Sequence, residues 1–275
     1  MFHSVYETLK NHQYVPGRYH KFIIYEPKMR VIQSQDMFDK VVNHLVSKEI
    51  LLPSIEKSLI DTNVASRKGK GTSYGIQKYF KYRNIMDRKY TQYYLLKCDI
   101  HHFFASIKHD ILKEKLKRKI KEKESLQILE TIIDSTEEGL PIGLMTLQIL
   151  AIFYLNDLDH YIKEELKIKY YIRYQDDFVL IHHDKEYLKY CLSVIKQKLQ
   201  ELDMQLNKKT KIYKNTENIN FIGIKKNYQY SKLARTRKKY KKNLKKYQNQ
   251  EIDLTTVLSS KISYESRKEG YHYES

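Results

Sequence analysis

Two spacings of apolar positions alternate along this chain. Between Asp36 and Leu52 apolar side chains fall at Met37, Phe38, Val41, Val42, Leu45 and Val46, the recurrence of a helix with one buried face. Met145 to Glu165 repeats it through Leu150, Phe153, Tyr154, Leu158 and Tyr161, and a further helical stretch runs from about Asp110 to Lys123. Three short runs read differently: Tyr93–Ile100, Tyr170–Tyr174 and Phe178–Ile181 are aromatic and β-branched and of strand length. The last two are so close that they read as a tight hairpin with Asp176 and Asp177 at its tip. The pattern predicts an α+β fold in which strands and helices alternate through the middle of the chain. With 4 Pro and 8 Gly in 275 residues, no linker divides it, and closely packed subdomains are expected.

The hairpin tip carries the first chemistry. Neighbouring buried carboxylates repel each other unless cations neutralise them, so an Asp-Asp turn framed by apolar strands needs solvent or metal. Mg²⁺ suits such a place because it takes oxygen ligands, keeps several waters and shares its shell with substrate phosphates. Asp is also a common turn former, and for the dipeptide by itself a solvated surface turn is the plainer reading. A second carboxylate changes that balance. Asp99 closes a strand-like run, and His101-His102-Phe103-Phe104-Ala105-Ser106 leads from it into the next helical stretch. Brought beside the hairpin, Asp99 would complete a set able to hold two metals roughly 3.5 to 4 Å apart, clamping the attacking and leaving oxygens of a phosphoryl transfer. The pairs His101-His102 and His182-His183 are not expected to chelate, since adjacent strand residues point to opposite faces.

Composition fits a polyanionic partner. Lys and Arg number 51 against 33 Asp and Glu, a formal net charge of +18, which favours phosphate neutralisation and counterion release. The mean hydropathy is −0.67; no apolar stretch has spanning length and the start, Met1-Phe2-His3-Ser4, is no secretory leader, so a cytoplasmic protein with no membrane partner is expected. Cys98 and Cys191 give neither a disulfide framework nor a metal-ligand spacing. Arg67-Lys68-Gly69-Lys70-Gly71 is too short and wrongly ordered for a P-loop.

Taken together, the blocks resemble a bacterial reverse transcriptase of the group II intron-like lineage. Asp99-Ile100-His101-His102-Phe103-Phe104-Ala105-Ser106-Ile107 resembles the first catalytic motif, and Tyr174-Gln175-Asp176-Asp177 the YxDD signature. Gly139-Leu140-Pro141-Ile142-Gly143 with Gln148 resembles the block that positions template and nucleotide. Phe221-Ile222-Gly223-Ile224 resembles the primer-grip hairpin. Lys28-Met29-Arg30-Val31-Ile32 resembles the segment whose arginine holds the incoming triphosphate, and Ala65 to Thr72 the stretch that follows it. The blocks keep family order over roughly residues 20 to 230.

The resemblance implies a right-hand polymerase fold: fingers over 1–92, a palm with inserted fingers helices over 93–227, and a short basic helical thumb over 228–275. It implies RNA-directed DNA synthesis with two Mg²⁺ ions, Mn²⁺ being an alternative. Asp99, Asp176 and the carbonyl of Ile100 would hold the metals, with Asp177 in support. Phe104, five residues after Asp99, would exclude a 2′-hydroxyl by steric conflict; without that role it is core packing. Arg30 would fork onto triphosphate oxygens, with Lys28 or Lys70 adding charge; for either lysine a solvated basic loop serves equally well. Lys209 and Lys211 resemble the region that supplies a proton donor to pyrophosphate. Phe221 and Gly223 would meet the primer. Arg235, Arg237, Lys238, Lys239 and the lysines after them, interleaved with Tyr240 and Tyr247, would track duplex phosphates, the alternative being a solvated helix. Tyr264, Tyr271 and Tyr273 would stack on bases or pack.

The departures from the family pattern bear on biological role. Ile142 stands where retroviral enzymes have glutamine, which is similar to enzymes of diversity-generating retroelements and implies error-prone copying; Leu147 stands where many of those have serine. The expected partners are an RNA template, a DNA or RNA primer, dNTPs, a structured noncoding or template RNA, and an accessory protein or a second copy. The expected source is a bacterium or phage. Antiphage defence with a noncoding RNA is the alternative role, and a silent nucleic-acid-binding scaffold the second alternative.

Overall fold

The computed structural model describes residues 2–25, 29–223 and 229–269. Its helices are α1 (Phe2–Lys10), α2 (Met37–Leu45), α3 (Leu52–Ile55), α4 (Thr72–Lys89), α5 (His109–Lys119), α6 (Lys123–Ile133), α7 (Met145–Tyr154), α8 (Asn156–His160), α9 (Lys185–Gln200), α10 (Gln229–Gln248) and α11 (Leu254–Glu269). Its strands are β1 (His20–Ile24), β2 (Arg30–Ser34), β3 (Tyr94–Asp99), β4 (Tyr170–Tyr174), β5 (Asp177–His182) and β6 (Lys211–Lys214). β1 and β2 form a separate two-stranded ribbon, while the other four make an antiparallel sheet in the order β4-β5-β3-β6.

The central strands read as near-continuous apolar runs because both faces of this sheet are covered. Leu96, Cys98, Tyr171, Phe178 and Leu180 point to one side, where they join a large core with Leu112 and Leu116 of α5, Leu150 of α7 and Leu188 and Ile195 of α9. Leu95, Ile172, Val179 and Ile181 point to the other and meet Tyr79, Phe80 and Met86 of α4 together with Phe221. Alternation therefore puts Lys97 and Asp99 on the same face as Leu95.

Helix boundaries depart from the periodicity in three places. The stretch predicted over 110–123 stops at Lys119, because Ile120 turns extended (φ −111°, ψ 119°) and buries its side chain, and helix resumes at Lys123. The 36–52 helix passes into a π-helical turn over Val46–Leu51. The 145–165 helix is interrupted at Leu155 and ends in a second π-helical turn, Tyr161–Glu165. Among the described residues no helix is long and apolar enough to cross a membrane.

One buried ion pair joins these layers. Arg173 on β4 and Asp159 on α8 are both wholly inaccessible, with Nε donating to Oδ1 at 2.7 Å and Nη2 to Oδ2 at 2.5 Å. Tyr171 donates to the same carboxylate at 2.6 Å. Two further guanidinium hydrogens reach the carbonyls of Ile152 and Gln175, each at 2.9 Å. The backbone of Arg173 is bonded in turn to Thr62 O and Val64 N, both at 3.0 Å. Removing one partner strands the other charge in the core. Asp159→Ala is therefore expected to lose about 3–5 kcal/mol of stability, read as a lower urea midpoint by circular dichroism; a loss under about 1 kcal/mol would contradict this role.

Candidate active site

Strand register assembles the acidic cluster. Antiparallel pairing of β3 with β5 sets Asp99 opposite Asp177, and pairing of β4 with β5 sets Tyr174 opposite Asp177, so Gln175 and Asp176 form a two-residue turn. Gln175 sits at φ +56°, a left-handed conformation that side chains disfavour, and the Arg173 bond to its carbonyl helps hold it there. Asp99 and the adjacent pair Asp176 and Asp177, distant in sequence, thereby share one end of the sheet.

Lys97, two residues before Asp99 and so on its face, places Nζ 3.0 Å from Asp177 Oδ1, with 17% and 26% of the two side chains exposed. The contact is an ion pair off the line of a hydrogen bond, since Oδ1 is buried with no donor of hydrogen-bond geometry. Burial pushes the Asp177 carboxyl up to about 6; the Lys97 ammonium opposes that shift, while Asp176 and Asp99 add to it. Periodicity from Asp99 would have picked out Lys97, which the motif comparison passed over.

The donor set suits a hard divalent ion. Asp99 O accepts from Asn207 N at 2.7 Å and His101 N donates to Gln205 O at 2.8 Å, both toward the β6 side. Strand alternation then turns the Ile100 carbonyl to the hairpin side. Three carboxylates and a carbonyl are the oxygen ligands that Mg²⁺ or Mn²⁺ prefers. Among the described residues no three His, Cys, Asp or Glu side chains already converge on a metal-sized point; Lys97 supplies part of the neutralisation.

The loop 139–143 stitches neighbouring segments to this end. Leu140 N donates to Phe104 O at 2.8 Å and Gln33 N to Ile142 O at 2.9 Å. Both approaches require glycine: a Cβ on Gly139 (φ +61°) would lie 2.7 Å from Ala105 Cα, and one on Gly143 (φ +148°) would lie 2.1 Å from Gln33 O. Phe104, half-buried, sits edge-on to Phe103 at 5.3 Å. Gln148 accepts from Ser66 Oγ at 3.3 Å, and Gln175 Nε2 donates to that hydroxyl at 3.0 Å. Sequence comparison marked the blocks holding Ser66 and Gln175 without giving either residue a role.

Other expected residues are placed less directly. Phe221, expected at the primer, is buried with its ring 5.3 Å from Tyr79, because the apolar face of α4 needs a cover; a nucleic-acid contact there would fall to Ile222 and the exposed Gly223. Lys70 donates to Asp61 O at 2.6 Å and Oδ1 at 3.0 Å. Asp61, bonded first to Lys78 and then to Lys70 and Tyr74, is held well below the usual carboxylate range. Lys211 lies opposite Lys97 across β3 and β6 but extends its ammonium to Glu217 at 3.6 Å; Lys209 is exposed beyond it. Arg237, Lys238 and Lys239 are exposed along α10, where Tyr240 stacks on Tyr264 of α11. Lys28, Tyr271 and Tyr273 lie outside the described residues, as do the side chains of Arg30 on β2 and Arg235 on α10. The histidine pairs, expected on opposite faces, have adjacent rings at 4.0 Å and 4.4 Å, because each falls where its strand ends.

An antiparallel sheet with a carboxylate hairpin facing an acidic strand end, joined to a glycine loop and a β-ribbon, is the polymerase fold of reverse transcriptases. The chain belongs to the reverse transcriptase (RNA-dependent DNA polymerase) family, whose sequence profile matches residues 20–226. A search of curated protein sequences finds no match. Among solved structures it is similar to telomerase from Candida albicans in complex with a fragment of telomeric RNA, at 14% identity and TM-score 0.55, over 77% of this chain and 44% of that one. It is also similar to Candida tropicalis telomerase truncated from its C-terminal domain, at 16% identity and TM-score 0.57, over 75% and 52%, and to that enzyme with telomeric RNA, at 13% and 0.57, over 99% and 58%. The chain thus spans about half the length of these telomerases.

The raised Asp177 carboxyl gives a pH test. Folded, it protonates near 6; unfolded, near ~4. Its contribution to folding is therefore fully present below ~4 and lost as pH rises through 6. In EDTA, the stability of Asp177→Asn relative to wild type should rise between pH 4 and pH 7.5, measured by urea titration; a constant difference would contradict the buried-carboxylate reading.

Proposed function

We propose that this protein is an RNA-directed DNA polymerase that extends a primer on an RNA template, with residues 1–92 as fingers, 93–227 as palm with inserted fingers helices, and 228–275 as a short thumb. The observation that carries the reading is the register that sets Asp99 against Asp177 at the tip of the Tyr174–Asp177 hairpin. Asp99, Asp176 and the Ile100 carbonyl hold two divalent ions, with Asp177 kept beside them by Lys97. When bound, such ions supply charge neutralisation for the triphosphate and lower the pKa of the primer hydroxyl. The primer 3′-oxygen forms a bond to the α-phosphorus of a dNTP, its proton leaves to solvent, and the α–β bridging oxygen departs with pyrophosphate. Positioning and electrostatics do most of this work. Lys209, which is exposed, and Lys211, which extends toward Glu217 at 3.6 Å, are the two candidates for protonating the leaving group.

RNA as the template agrees with the net charge of +18 and with the telomeric RNA bound by two of the telomerase neighbours. The exposed basic face of α10 gives a thumb a surface for duplex phosphates. Ile142, which stands half-buried beside Gly143, supports error-prone copying in a diversity-generating retroelement; Leu147, wholly buried in α7, departs from that group, and a defence role with a noncoding RNA is the competing setting. Sequencing the RNA that co-purifies decides between them: a repeat-like template supports diversification and a compact noncoding RNA supports defence.

On a short RNA template with a DNA primer, Asp176→Asn should lower the rate of dNTP incorporation by at least about 10²–10³-fold; incorporation at the wild-type rate would end the polymerase reading. Phe104→Ala should raise use of rNTPs relative to dNTPs by about 10- to 200-fold in competition gels, and an unchanged ratio would return Phe104 to core packing.

A further inference from the structure

Ser66 and Gln175, at φ +52° and +56°, are both left-handed and bonded to one another. Such conformations persist where the surroundings over-determine them, and here both sides are pinned. The carbonyl of Gln175 accepts from buried Arg173. Next to Ser66, Arg67 forks onto Glu56 Oε1 at 2.9 and 2.6 Å and reaches the carbonyls of Ile60 and Asn63 at 2.7 and 2.8 Å.

The hydrogen bonds between these pinned residues have a direction. Gln175 Nε2 donates to Ser66 Oγ at 3.0 Å. A hydroxyl has one proton, and that of Ser66 goes to Gln148 Oε1 at 3.3 Å. The relay turns the carbonyl end of Gln148 toward Ser66 and makes its Nε2 hydrogens the far end. Gln175 Oε1 is meanwhile buried with no hydrogen-bond partner among the described residues, a cost that native structures concentrate where function needs it.

We propose that Ser66 is a positioning residue for nucleotide incorporation, its hydroxyl passing the orientation of Gln175 in the catalytic hairpin to Gln148, which presents amide hydrogens to an acceptor atom of the incoming nucleotide. The proposal rests on the reading of Gln148 as a nucleotide-positioning residue in a polymerase. It gives the second position of the hairpin signature a task distinct from that of the aspartates: Gln175 ties hairpin, nucleotide side and the 62–71 segment into one hydrogen-bonded unit. Without the hydroxyl, Gln148 is free to present its oxygen instead.

Ser66→Gly tests this, because glycine keeps the left-handed backbone available while the hydroxymethyl group that carries the relay is removed. Steady-state single-nucleotide incorporation should show KM for the dNTP raised about tenfold with kcat within about twofold, the pattern of a binding interaction common to ground and transition states. Gln175→Ala should act similarly, and the double variant should raise KM no further than the larger single effect, because both break one relay. An unchanged KM in Ser66→Gly, a fall in kcat alone, or single effects that multiply would overturn the relay. Asp176→Asn is measured alongside: if it incorporates dNTPs at the wild-type rate the polymerase reading has failed, whereas a strongly slowed Asp176→Asn with a normal Ser66→Gly sinks the relay alone.

Discussion

The bidentate ion pair between Arg173 and Asp159 is the constraint on which the rest of the site depends. A guanidinium sealed from water needs partners for its donors, and here four of them are spread over a carboxylate on α8, a carbonyl on α7 and the carbonyl of Gln175 in the hairpin turn. Together these bonds fix three segments, α8, α7 and the hairpin turn, against β4. A buried pair of this sort adds little net stability compared with an apolar pack of equal volume. Its consequence is geometric: the hairpin tip cannot shift without stranding a charge in the core.

From that anchor the acidic cluster follows by strand register. Once β4 is fixed, β5 pairs with it through a two-residue turn, and β3 pairs with β5 so that Asp99 meets Asp177. A slip of one residue would turn Asp99 to the opposite face, among Leu96 and Cys98. Burial on both faces forbids that slip, because the core residues of the two faces would exchange places. The sheet's apolar periodicity thus serves the carboxylates at its end. Gly139 and Gly143 extend the same logic outward, admitting backbone contacts to Ala105 and Gln33 that no larger residue permits.

Much of this was legible in the order of residues. Both strands of the hairpin, the strand before Asp99 and the helices over 36–52, 110–123 and 145–165 were read from the run of apolar positions, and the family came from the sequence of blocks, whereas α4 and α9 drew no such reading. Register was hidden, since the pairing that sets Asp99 opposite Asp177 depends on the whole intervening chain. Asp159 gave no signal, being one acidic residue among several in a helix, and its meaning appears only with Arg173 beside it. Phe221 was expected to meet the primer from its motif; its ring packs in the core against the aromatic face of α4. Helix ends were missed where Ile120 buries its side chain at the cost of helical continuity. Lys97 was within reach of simple alternation from Asp99.

The most direct test of the account is to count divalent ions in the assembled site. Electron paramagnetic resonance of Mn²⁺ titrated into the protein, with an RNA template, a DNA primer ending in a 3′-hydroxyl and a non-hydrolysable dNTP analogue, reports both stoichiometry and spin coupling. Two coupled Mn²⁺ ions per chain, lost in Asp99→Asn, are the predicted result. Binding in Asp99→Asn equal to wild type would contradict the claim that β3 and the hairpin together form the catalytic site.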